Sequence, residues 1–534
     1  MAQIERHVAG RHLKLTQVVL HDGTDRHNEL VQELEWLLHP SERSLSLSGN
    51  LFSVENVESG TGTVFLKEAP LPHARGCSVP ADLTAAPDSS GGWHFHLSAG
   101  DCETTDSFRV IEYTGGAAGR IAALHSAQFS ARPATDAHRV PRFLTNTWGD
   151  RSQDTRIRAD FILREIESAA AIGADIVQID DGWQRGRTSN SAYATDSGKL
   201  EGFWNTDENF WDVDGWKFPD GLEPIIQAAK RHGVEIGLWF APDSWREFAF
   251  WERDAARVLE LHALGIRFFK IDGVTAATSA AQTNLARFFD AVAAGSSGEI
   301  ALDLDITAGV RPGYFGAMSV GPLFVENRYT DWTNYWPHQT LRNLWTLSRW
   351  IDPRRLRMEF LNTARNRDHY AGDPLAPERW PADSLFASVM TASPLGWFEV
   401  QNLPEASRAD VASVVGVWRQ HRDAYFAGRI RPIGECPDGF SWTGFMSVGN
   451  AGDHASLFVL IFREGSSSAT GRFQIPELAR GAAPTVLAGS GSAGVPAAGV
   501  LEASIEAAFG FLFLTVSGAG DRVDANRTGG NQIE

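Results

Sequence analysis

Short apolar runs alternate with stretches of helical spacing between residues 142 and 422, and this alternation limits the fold more than any other feature. In one helical stretch Ile162, Ile166 and Ala169 lie at positions i, i+4 and i+7, and Gly173 follows as a stop signal. Strands interleaved with amphipathic helices are typical of a parallel sheet. The predicted strands are 142–148, 174–183, 234–243, 266–273, 299–307, 322–332, 355–363 and 395–402.

Eight strand–helix alternations over this length match a (β/α)8 TIM barrel. A doubly wound open sheet is the alternative, but it often carries a glycine-rich phosphate turn after its first strand. The corresponding turn here reads TWGDRSQD and has no GxGxxG pattern. The sequence therefore predicts an α/β fold with a barrel domain at residues 136–428.

The sequences on either side of the barrel are typical of β-structure. SLSLSGNLFSV (44–54) alternates polar and apolar residues, and similar runs return in GFSWTGFMSV (439–448). We therefore predict an N-terminal β-sandwich at residues 1–135 and a C-terminal antiparallel β-sandwich domain at residues 429–534.

Charge and cysteine content exclude some classes of partner. The formal net charge of -18 argues against nucleic acid or an anionic membrane as a partner. The three cysteines, Cys77, Cys102 and Cys436, form no closely spaced pair, so neither a disulfide framework nor a structural zinc site is expected. The first residues lack the apolar core of a signal peptide, and no run reaches the length of a membrane helix. We expect a cytoplasmic protein, with self-association into a homo-oligomer left open.

Charged and aromatic residues gather where the first six predicted strands end. In a TIM barrel these ends meet at the face that carries the active site. One acidic residue at such a place is often a helix N-cap, but six consecutive strand ends are harder to explain as caps. The residues are Trp148, Asp150, Asp180, Asp181, Trp239, Asp243, Lys270, Asp272, Asp303, Asp305, Glu326, Arg328 and Asp331.

A ring of carboxylates permits either metal binding or glycoside cleavage. Metal sites often include histidine, and none of these strand ends carries one. Lys270 and Asp272 lie two residues apart and share one side of their strand, so the lysine keeps the aspartate ionised. His94 and His96 also share one face of a predicted strand, an arrangement more typical of a surface pair than of a metal site. The pattern favours sugar chemistry without metal or organic cofactor.

Three stretches resemble successive strand motifs of the α-galactosidases of glycoside hydrolase family 36. They are DIVQIDDGWQ, KFPDGLEPIIQAAKRHGVEIGLWFAPD and RFFKIDG, and family 27 enzymes carry similar DDGW and KxD stretches. The resemblance covers most of residues 142–350. It implies a retaining mechanism on a terminal α-galactoside of an oligosaccharide, through a covalent glycosyl-enzyme.

The resemblance also implies roles for individual residues. Asp272 matches the nucleophile of the KxD motif, and Asp331 in ENRYTDW stands at the place of the acid/base. Asp180 and Asp181 match the pair that binds the O4 and O6 hydroxyls of the sugar. The other residues implied to bind sugar are Lys270, Arg328, Trp183 and Trp239.

The sequence departs from the family after the fifth strand, where LDLDITAGVRPGY replaces a Cys-Gly-Gly-Gly-Arg-like stretch. That stretch contacts the C2 substituent of the sugar in the family, and here Asp305, Thr307 and Arg311 occupy it. Trp148 and Asp150 are candidates for either sugar contact or loop capping. The alternatives are another α-glycoside (N-acetylgalactosaminide, arabinopyranoside or glucoside), transglycosylation, Asp303 or Glu326 as the acid/base, and a carbohydrate-binding protein without catalysis.

Overall fold

A computed structural model describes residues 3–21, 29–39, 43–69, 81–89, 91–98, 107–135, 139–194, 201–449 and 457–517. Within this part of the chain, no helix combines the length and the apolar character that a membrane crossing requires. Cys436 is a free thiol. Cys77 and Cys102 lie outside the described residues.

Two antiparallel sheets form the N-terminal sandwich. Their orders are β1-β8-β7-β4 and β3-β2-β5-β6-β9. Phe52 and Phe65 of one sheet pack against Phe95 and Leu97 of the other. Side chains alternate along a strand. Because Trp93 and Leu97 of β8 face the core, the residues at the alternate positions between them lie on the outer face of the sheet. The strands are β1 (Gln3–Val8), β2 (Leu13–Leu20), β3 (Val31–Leu38), β4 (Leu45–Leu47), β5 (Leu51–Asn56), β6 (Thr61–Glu68), β7 (Leu83–Pro87), β8 (Trp93–Ser98) and β9 (Ser107–Tyr113).

Helix α1 (Gly116–Ser130) follows the sandwich, where the sequence predicted only strands. Its stretch is rich in Gly and Ala, so the helical period of its apolar residues is weak. Tertiary contacts stabilise it: Leu124 is buried, and Gln128 donates a hydrogen bond to the carbonyl of Trp350 at 2.8 Å. The prediction that residues 1–135 form strands is therefore wrong for this segment.

Eight parallel strands close into a barrel in chain order, and the predicted TIM barrel is confirmed. Closure is made by the first strand, which pairs with both the second and the last. The strands are β10 (Leu144–Asn146), β11 (Ile176–Ile179), β12 (Glu235–Phe240), β13 (Phe268–Ile271), β14 (Ala301–Asp305), β15 (Leu323–Phe324), β16 (Leu356–Phe360) and β17 (Ser393–Gly396).

Helices surround the barrel and bury their apolar stripes against it. In the first of them Phe161, Ile162, Ile166 and Ala169 are buried, and the helix ends before Gly173, whose φ of 80° few other residues adopt. The helices are α2 (Ala159–Ala171), α3 (Phe203–Thr206), α4 (Glu223–His232), α5 (Trp251–Ala263), α6 (Ser279–Gly295), α7 (Pro337–Leu347), α8 (Ala382–Val389) and α9 (Glu405–Ala427).

The expected strand–helix alternation fails at one place. Residues 306–322, all of them described, connect β14 to β15 without an α-helix. This segment carries Thr307 and Arg311, so the fifth connection of the barrel is a long loop beside the strand ends instead of a helix on the outside.

The C-terminal β-structure consists of a five-stranded sheet, β18-β19-β20-β25-β22, and a three-stranded sheet, β21-β24-β23. Leu512 of the larger sheet and Phe473 of the smaller sheet belong to the hydrophobic core between the two sheets. The other face of the larger sheet packs on α9, where Tyr425 contacts Phe458 and Phe513. The strands are β18 (Arg429–Gly434), β19 (Trp442–Val448), β20 (Leu457–Arg463), β21 (Thr470–Gln474), β22 (Ala483–Gly489), β23 (Ser492–Ala497), β24 (Val500–Ser504) and β25 (Gly510–Ser517).

Candidate active site

Charged side chains from neighbouring strands lie at matching heights inside the barrel. Trp239 on β12 pairs in register with Lys270 on β13, and Lys270 pairs with Asp303 on β14. Residues two positions further along point to the same side, so Asp272 and Asp305 follow at the carboxyl ends of their strands. The alternation of each strand and the register between strands together create a polar cluster at the face that carries active sites in this fold.

Lys270 lies among carboxylates at the centre of this cluster. Its Nζ is 3.5 Å from Asp180 Oδ2 and 3.7 Å from Asp305 Oδ2. Burial alone would lower the pKa of Lys270, but the charges of Asp180, Asp305 and Asp272 raise that pKa above its ordinary value. The ammonium group is therefore held charged. The ammonium group occupies the position between the carboxylates at which a divalent cation would bind. The cluster is therefore suited to binding hydroxyl groups and not to binding a metal ion.

Asp272 directly follows β13 and accepts hydrogen bonds on both oxygens. The backbone N–H of Gly273 donates to Oδ1 at 2.6 Å, and the indole N–H of Trp239 donates to Oδ2 at 3.4 Å. Arg311 Nη2 lies 3.4 Å from Oδ1. Burial favours the protonated acid, but Arg311 and Lys270 outweigh it and lower the pKa of Asp272. The carboxylate is therefore ionised at neutral pH, and Oδ2 is its less tightly held oxygen.

Asp305 ends β14 on the other side of Lys270. The backbone N–H and the hydroxyl of Thr307 donate to its Oδ1 at 3.0 and 2.7 Å. Burial and the charge of Asp272 raise the pKa of Asp305, while Lys270 opposes the shift. Asp180, Trp239, Lys270, Asp272, Asp305 and Arg311 are thus the predicted site residues that the structure brings together.

Replacing Lys270 with Met should destabilise the protein strongly. The variant keeps the buried carboxylates but removes their counter-charge, and breaking a buried pair in this way costs about 3–5 kcal/mol of unfolding free energy. Protonation of the carboxylates relieves the repulsion, so the loss should be larger at pH 8 than at pH 5. Denaturant unfolding at both pH values measures it, with Lys230→Met on the exposed face of α4 as the control. An unchanged unfolding free energy at pH 8 would contradict the central place of Lys270.

Asp181 faces away from Lys270, as expected for a residue that directly follows Asp180. Gln184 donates to its Oδ1 at 2.6 Å, and the hydroxyl of Thr188 donates to its Oδ2. Burial outweighs these hydrogen bonds and raises the pKa of Asp181 to about 7. Both oxygens are thus occupied by the loop that follows β11, although the resemblance implied a direct sugar contact.

The raised pKa of Asp181 predicts a pH dependence of stability. Asp181 keeps its proton in the folded state up to about pH 7, whereas the unfolded chain releases it near pH 4. Its contribution to the free energy of unfolding is therefore fully present below pH 4 and is lost as the pH rises towards 7. The Asp181→Asn variant has no ionisable group at this position. Between pH 5 and pH 8 the free energy of unfolding of wild type should therefore fall by on the order of 2–3 kcal/mol relative to that of the variant. Denaturant unfolding at several pH values tests this. Asp160→Asn, at an exposed position on α2, should keep the wild-type dependence.

Trp183 is fully buried, and its ring packs on Trp211 with centroids 6.1 Å apart. Its indole N–H donates to the backbone carbonyl of Trp239 at 2.8 Å. Trp183 was expected to form an exposed aromatic wall of the sugar site, but its side chain has no exposed surface. The ring instead supports the strand that carries Trp239, because its N–H is bonded to the carbonyl of that residue.

Asp331 lies on the loop after β15, with about a third of its side chain exposed. Its Oδ2 is 3.3 Å from Nε of Arg151, which belongs to the loop after β10. The guanidinium group of Arg151 also lies over the ring of Trp332, 4.5 Å from the centroid. The cation beside Asp331 therefore comes from another strand's loop, and the sequence did not indicate it.

Arg328 is fully buried and turned towards the wall of the barrel. It donates to Gln339 Oε1 at 2.7 Å, its Nη2 lies 3.5 Å from Glu326 Oε1, and its backbone N–H donates to Glu359 at 2.9 Å. These contacts place Arg328 beside Gln339 and Glu326, and its contact with the sugar stays a prediction.

Asp150 caps a loop. Its Oδ2 accepts hydrogen bonds from Asn402 Nδ2 at 2.6 Å and from the backbone N–H of Glu399 at 3.2 Å. Burial raises the pKa of Asp150 against these hydrogen bonds. Trp148 is half-buried and packs on the apolar cluster inside the barrel that includes Leu144. Of the two alternatives for Asp150, the contacts favour loop capping.

Two polar residues inside the barrel were missed by the sequence analysis. Asn146 Nδ2 donates to Asp180 Oδ2 and to Gln178 Oε1, both at 2.7 Å. Glu359 on β16 is fully buried, and burial together with the charge of Glu326 raises its pKa well above the ordinary value. Alternation could have found Asn146, since it lies two residues before Trp148 on a predicted strand, but no sequence signal distinguishes Glu359 from an exposed acid.

The loops beyond the strand ends carry backbone strain. Non-glycine residues with left-handed φ angles cost energy and are concentrated at functional sites. Three consecutive residues of this kind follow β12, and others lie beside Asp331 and in the loop after β10. These residues are Arg246 (φ 47°), Glu247 (φ 61°), Phe248 (φ 62°), Thr333 (φ 53°), Arg151 (φ 63°) and Gln153 (φ 50°).

Sequence comparison gives two short matches and no matching family model. An α-galactosidase of Escherichia coli is 38% identical over 84 residues, which are 16% of this chain and 10% of that protein. α-Galactosidase 2 of Pediococcus pentosaceus is 33% identical over 78 residues, 15% of this chain and 9% of that protein. The aligned stretch therefore spans about a tenth of each curated relative.

Comparison with solved structures covers nearly the whole chain. The family 36 α-galactosidase AgaA of Geobacillus stearothermophilus has a TM-score of 0.64 at 12% identity and covers 96% of this chain and 76% of its own. The galactosidase domain of the α-galactosidase–sucrose kinase AgaSK has a TM-score of 0.66 at 13% identity, with coverages of 97% and 75%. At these identities the likeness shows the fold. The chain has the fold of the glycoside hydrolase family 36 α-galactosidases and is similar in sequence to two curated α-galactosidases over about 80 residues each.

Proposed function

We propose that this chain is a retaining α-glycosidase that releases terminal α-galactose through a covalent intermediate on Asp272. One observation carries the proposal: Arg311 and Lys270 hold Asp272 as an ionised, partly accessible carboxylate at the end of β13, in a barrel of the family 36 fold. Variants of the Geobacillus enzyme have been crystallised with raffinose and with stachyose. By analogy, an oligosaccharide with a terminal galactose is our proposed substrate.

In the first step, Oδ2 of Asp272 attacks the anomeric carbon. Gly273 and Arg311 hold Oδ1, so Oδ2 is the oxygen more available to form the new bond. As the C–O bond to Asp272 forms, the glycosidic C–O bond breaks, and Asp331 gives its proton to the departing oxygen. In the second step, Asp331 takes a proton from water, the water oxygen attacks the same carbon, and the bond to Asp272 breaks.

Asp331 is our proposed acid/base because the two alternatives are committed to other contacts. Asp303 lies inside the barrel, with Oδ2 2.8 Å from Arg357 Nε. Glu326 is fully buried and accepts hydrogen bonds from Thr340 and Asn343, both at 2.7 Å. Asp331 is partly exposed and keeps access to a leaving group and to water.

Sugar recognition is assigned to the remaining polar cluster. We assign the O4 and O6 hydroxyls to Asp180, the O3 and O4 hydroxyls to Lys270, and the C2 side to Asp305 and Arg311. Trp239 provides the adjoining aromatic surface. The other predicted site residues act by positioning: Asp181 and Trp183 support β11 and β12, Arg328 orders the wall near Glu326, and Trp148 and Asp150 fix the loop after β10.

A panel of p-nitrophenyl α-glycosides tests the proposal. The galactoside should turn over faster than the glucoside, the N-acetylgalactosaminide and the arabinopyranoside, and the first sugar product should be the α-anomer by NMR. A different preferred substrate would reassign the sugar, and an excess of nitrophenol over free galactose with an added acceptor would indicate transglycosylation. Binding of galactose without turnover on any substrate would favour a carbohydrate-binding protein.

The proposal extends to the setting of the protein. We propose a cytoplasmic enzyme that acts on free oligosaccharides, supported by the scarcity of cysteine and by the net charge of -18, which disfavours nucleic acid and anionic membranes as partners. The domain borders at residues 135 and 428, the relation to family 27 and self-association into a homo-oligomer stay predictions.

A further inference from the structure

Two histidines face each other on the outer surface of the N-terminal sandwich. His7 on the edge strand β1 stands directly opposite His94 on β8, and their ring centroids are 5.0 Å apart. The core-facing residues of β8 alternate with His94, so its ring points away from the sandwich core. The outer face of the sheet therefore presents a cross-strand imidazole pair that is open to solvent.

Asp88 adds a carboxylate to this pair. It follows β7 in the hairpin that leads to β8, and the hairpin is fixed by a hydrogen bond from its N–H to the carbonyl of Gly92 at 2.9 Å. Asp88 Oδ2 lies 2.8 Å from His7 Nε2 and 3.4 Å from His94 Nε2. The ligand atoms of all three residues lie within 4.8 Å of one another, and both histidine side chains remain about half exposed.

Two imidazole nitrogens and one carboxylate oxygen match the ligand preference of a divalent transition metal ion. Zinc binds such ligands at about 2.0–2.2 Å in a tetrahedron, which places them roughly 3.4 Å apart. The distance from His94 to Asp88 already meets this requirement, and the exposed ring of His7 needs only a small rotation. Calcium and magnesium prefer sites built from oxygen, so the two imidazoles select against them.

We propose that His7, His94 and Asp88 form a binding site for a divalent transition metal ion, with zinc as the probe and water at the fourth position. Because its ligands come from β1, β8 and the β7–β8 hairpin, the ion would fasten the edge strand β1 to the hairpin. This site is separate from the barrel cluster around Lys270, and the proposed glycosidase reaction does not use it.

Isothermal titration of the full-length protein with zinc chloride, in a buffer free of chelators, tests the site. Wild type should bind zinc there, and His7→Ala, His94→Ala and Asp88→Asn should each weaken that binding about tenfold or more. His96→Ala is the matched control: His96 lies on the same face of β8 but pairs with Glu5, with Nδ1 3.5 Å from Oε1, and its loss should leave the affinity unchanged. Equal zinc affinity in wild type, His7→Ala and His94→Ala would overturn the proposal.

Two further measurements distinguish a metal site from a plain hydrogen-bonded triad. Bound copper(II) should show hyperfine coupling to two imidazole nitrogens in electron paramagnetic resonance, and His94→Ala should reduce this to one. Zinc at about 100 times its dissociation constant should slow amide exchange in β1 by up to about 100-fold in wild type and not in His94→Ala. Unchanged β1 exchange in zinc-saturated wild type would overturn the fastening of β1.

Discussion

Replacing Asp272 with Ala should lower kcat for p-nitrophenyl α-galactoside by at least about 10⁴-fold, the largest effect that we expect from any substitution. The proposed covalent intermediate cannot form without this carboxylate. Trp239, Lys270 and Arg311 remain in place, so substrate binding should persist. Steady-state kinetics together with binding of galactose by titration calorimetry separate the loss of chemistry from the loss of binding.

Rescue of the Asp272→Ala variant by added azide tests the nucleophilic role of Asp272 more directly than the loss of rate does. Alanine leaves room beside the anomeric carbon, so azide should restore turnover in Asp272→Ala and give β-galactosyl azide, with inverted configuration. Asp160→Ala, at an exposed position on α2, should keep wild-type kinetics and gain nothing from azide. Failure of azide to accelerate the Asp272→Ala variant would argue against a nucleophilic role.

The Asp331→Ala variant should show a loss of activity that depends on the leaving group. A general acid contributes about 10²–10⁴-fold when the departing oxygen needs a proton, and much less when it does not. We therefore expect kcat/KM for raffinose to fall within this range, and the rate for 2,4-dinitrophenyl α-galactoside to fall far less in the glycosylation step. Rates for a series of aryl galactosides, plotted against leaving-group acidity, measure the difference.

Control variants separate proton transfer from loop structure. Asp220→Ala changes another exposed aspartate and should leave the series unchanged. Arg151→Ala removes the ion pair of Asp331 but keeps the carboxylate, so its losses should be similar across the series. Equal losses for good and poor leaving groups in Asp331→Ala would show that Asp331 is not the acid, and Glu326 would then be the next residue to test.

Local patterns predicted the barrel because each strand and each surrounding helix carries its own periodicity. Seven of the eight strands form within the predicted apolar runs, and Gly173 marks the end of α2 as predicted. The eighth prediction, 395–402, shares only two residues with β17 (Ser393–Gly396), and its last residues form a 3₁₀ helix at Val400–Asn402. The pattern failed where stability comes from distant contacts. Helix α1 has little amphipathic signal and depends on residues such as Trp350, and residues 306–322 replace a helix with a loop.

From the sequence, only the side chains that share one face of a single strand could be predicted to lie together in the site. Lys270 on β13 and Asp272 directly after it are two residues apart and point to the same side, and in the structure the charge of Lys270 helps to lower the pKa of Asp272. The contact of Arg151 with Asp331 joins loops that follow different strands. The burial of Trp183 and the turn of Arg328 towards Glu326 likewise depend on residues distant in sequence.

The sequence alone determined the barrel, the order of its strands and the strand ends at which the acidic residues lie, because periodicity is a property of neighbouring residues. The tertiary structure decided which charges meet. Only strand register places Lys270 between Asp180 and Asp305, and only the pairing of β1 with β8 places His7 opposite His94. Electrostatic interactions depend on distance in space, so the sequence indicated the contribution of Lys270 to the ionisation of Asp272, while the larger contribution of Arg311 follows from the fold.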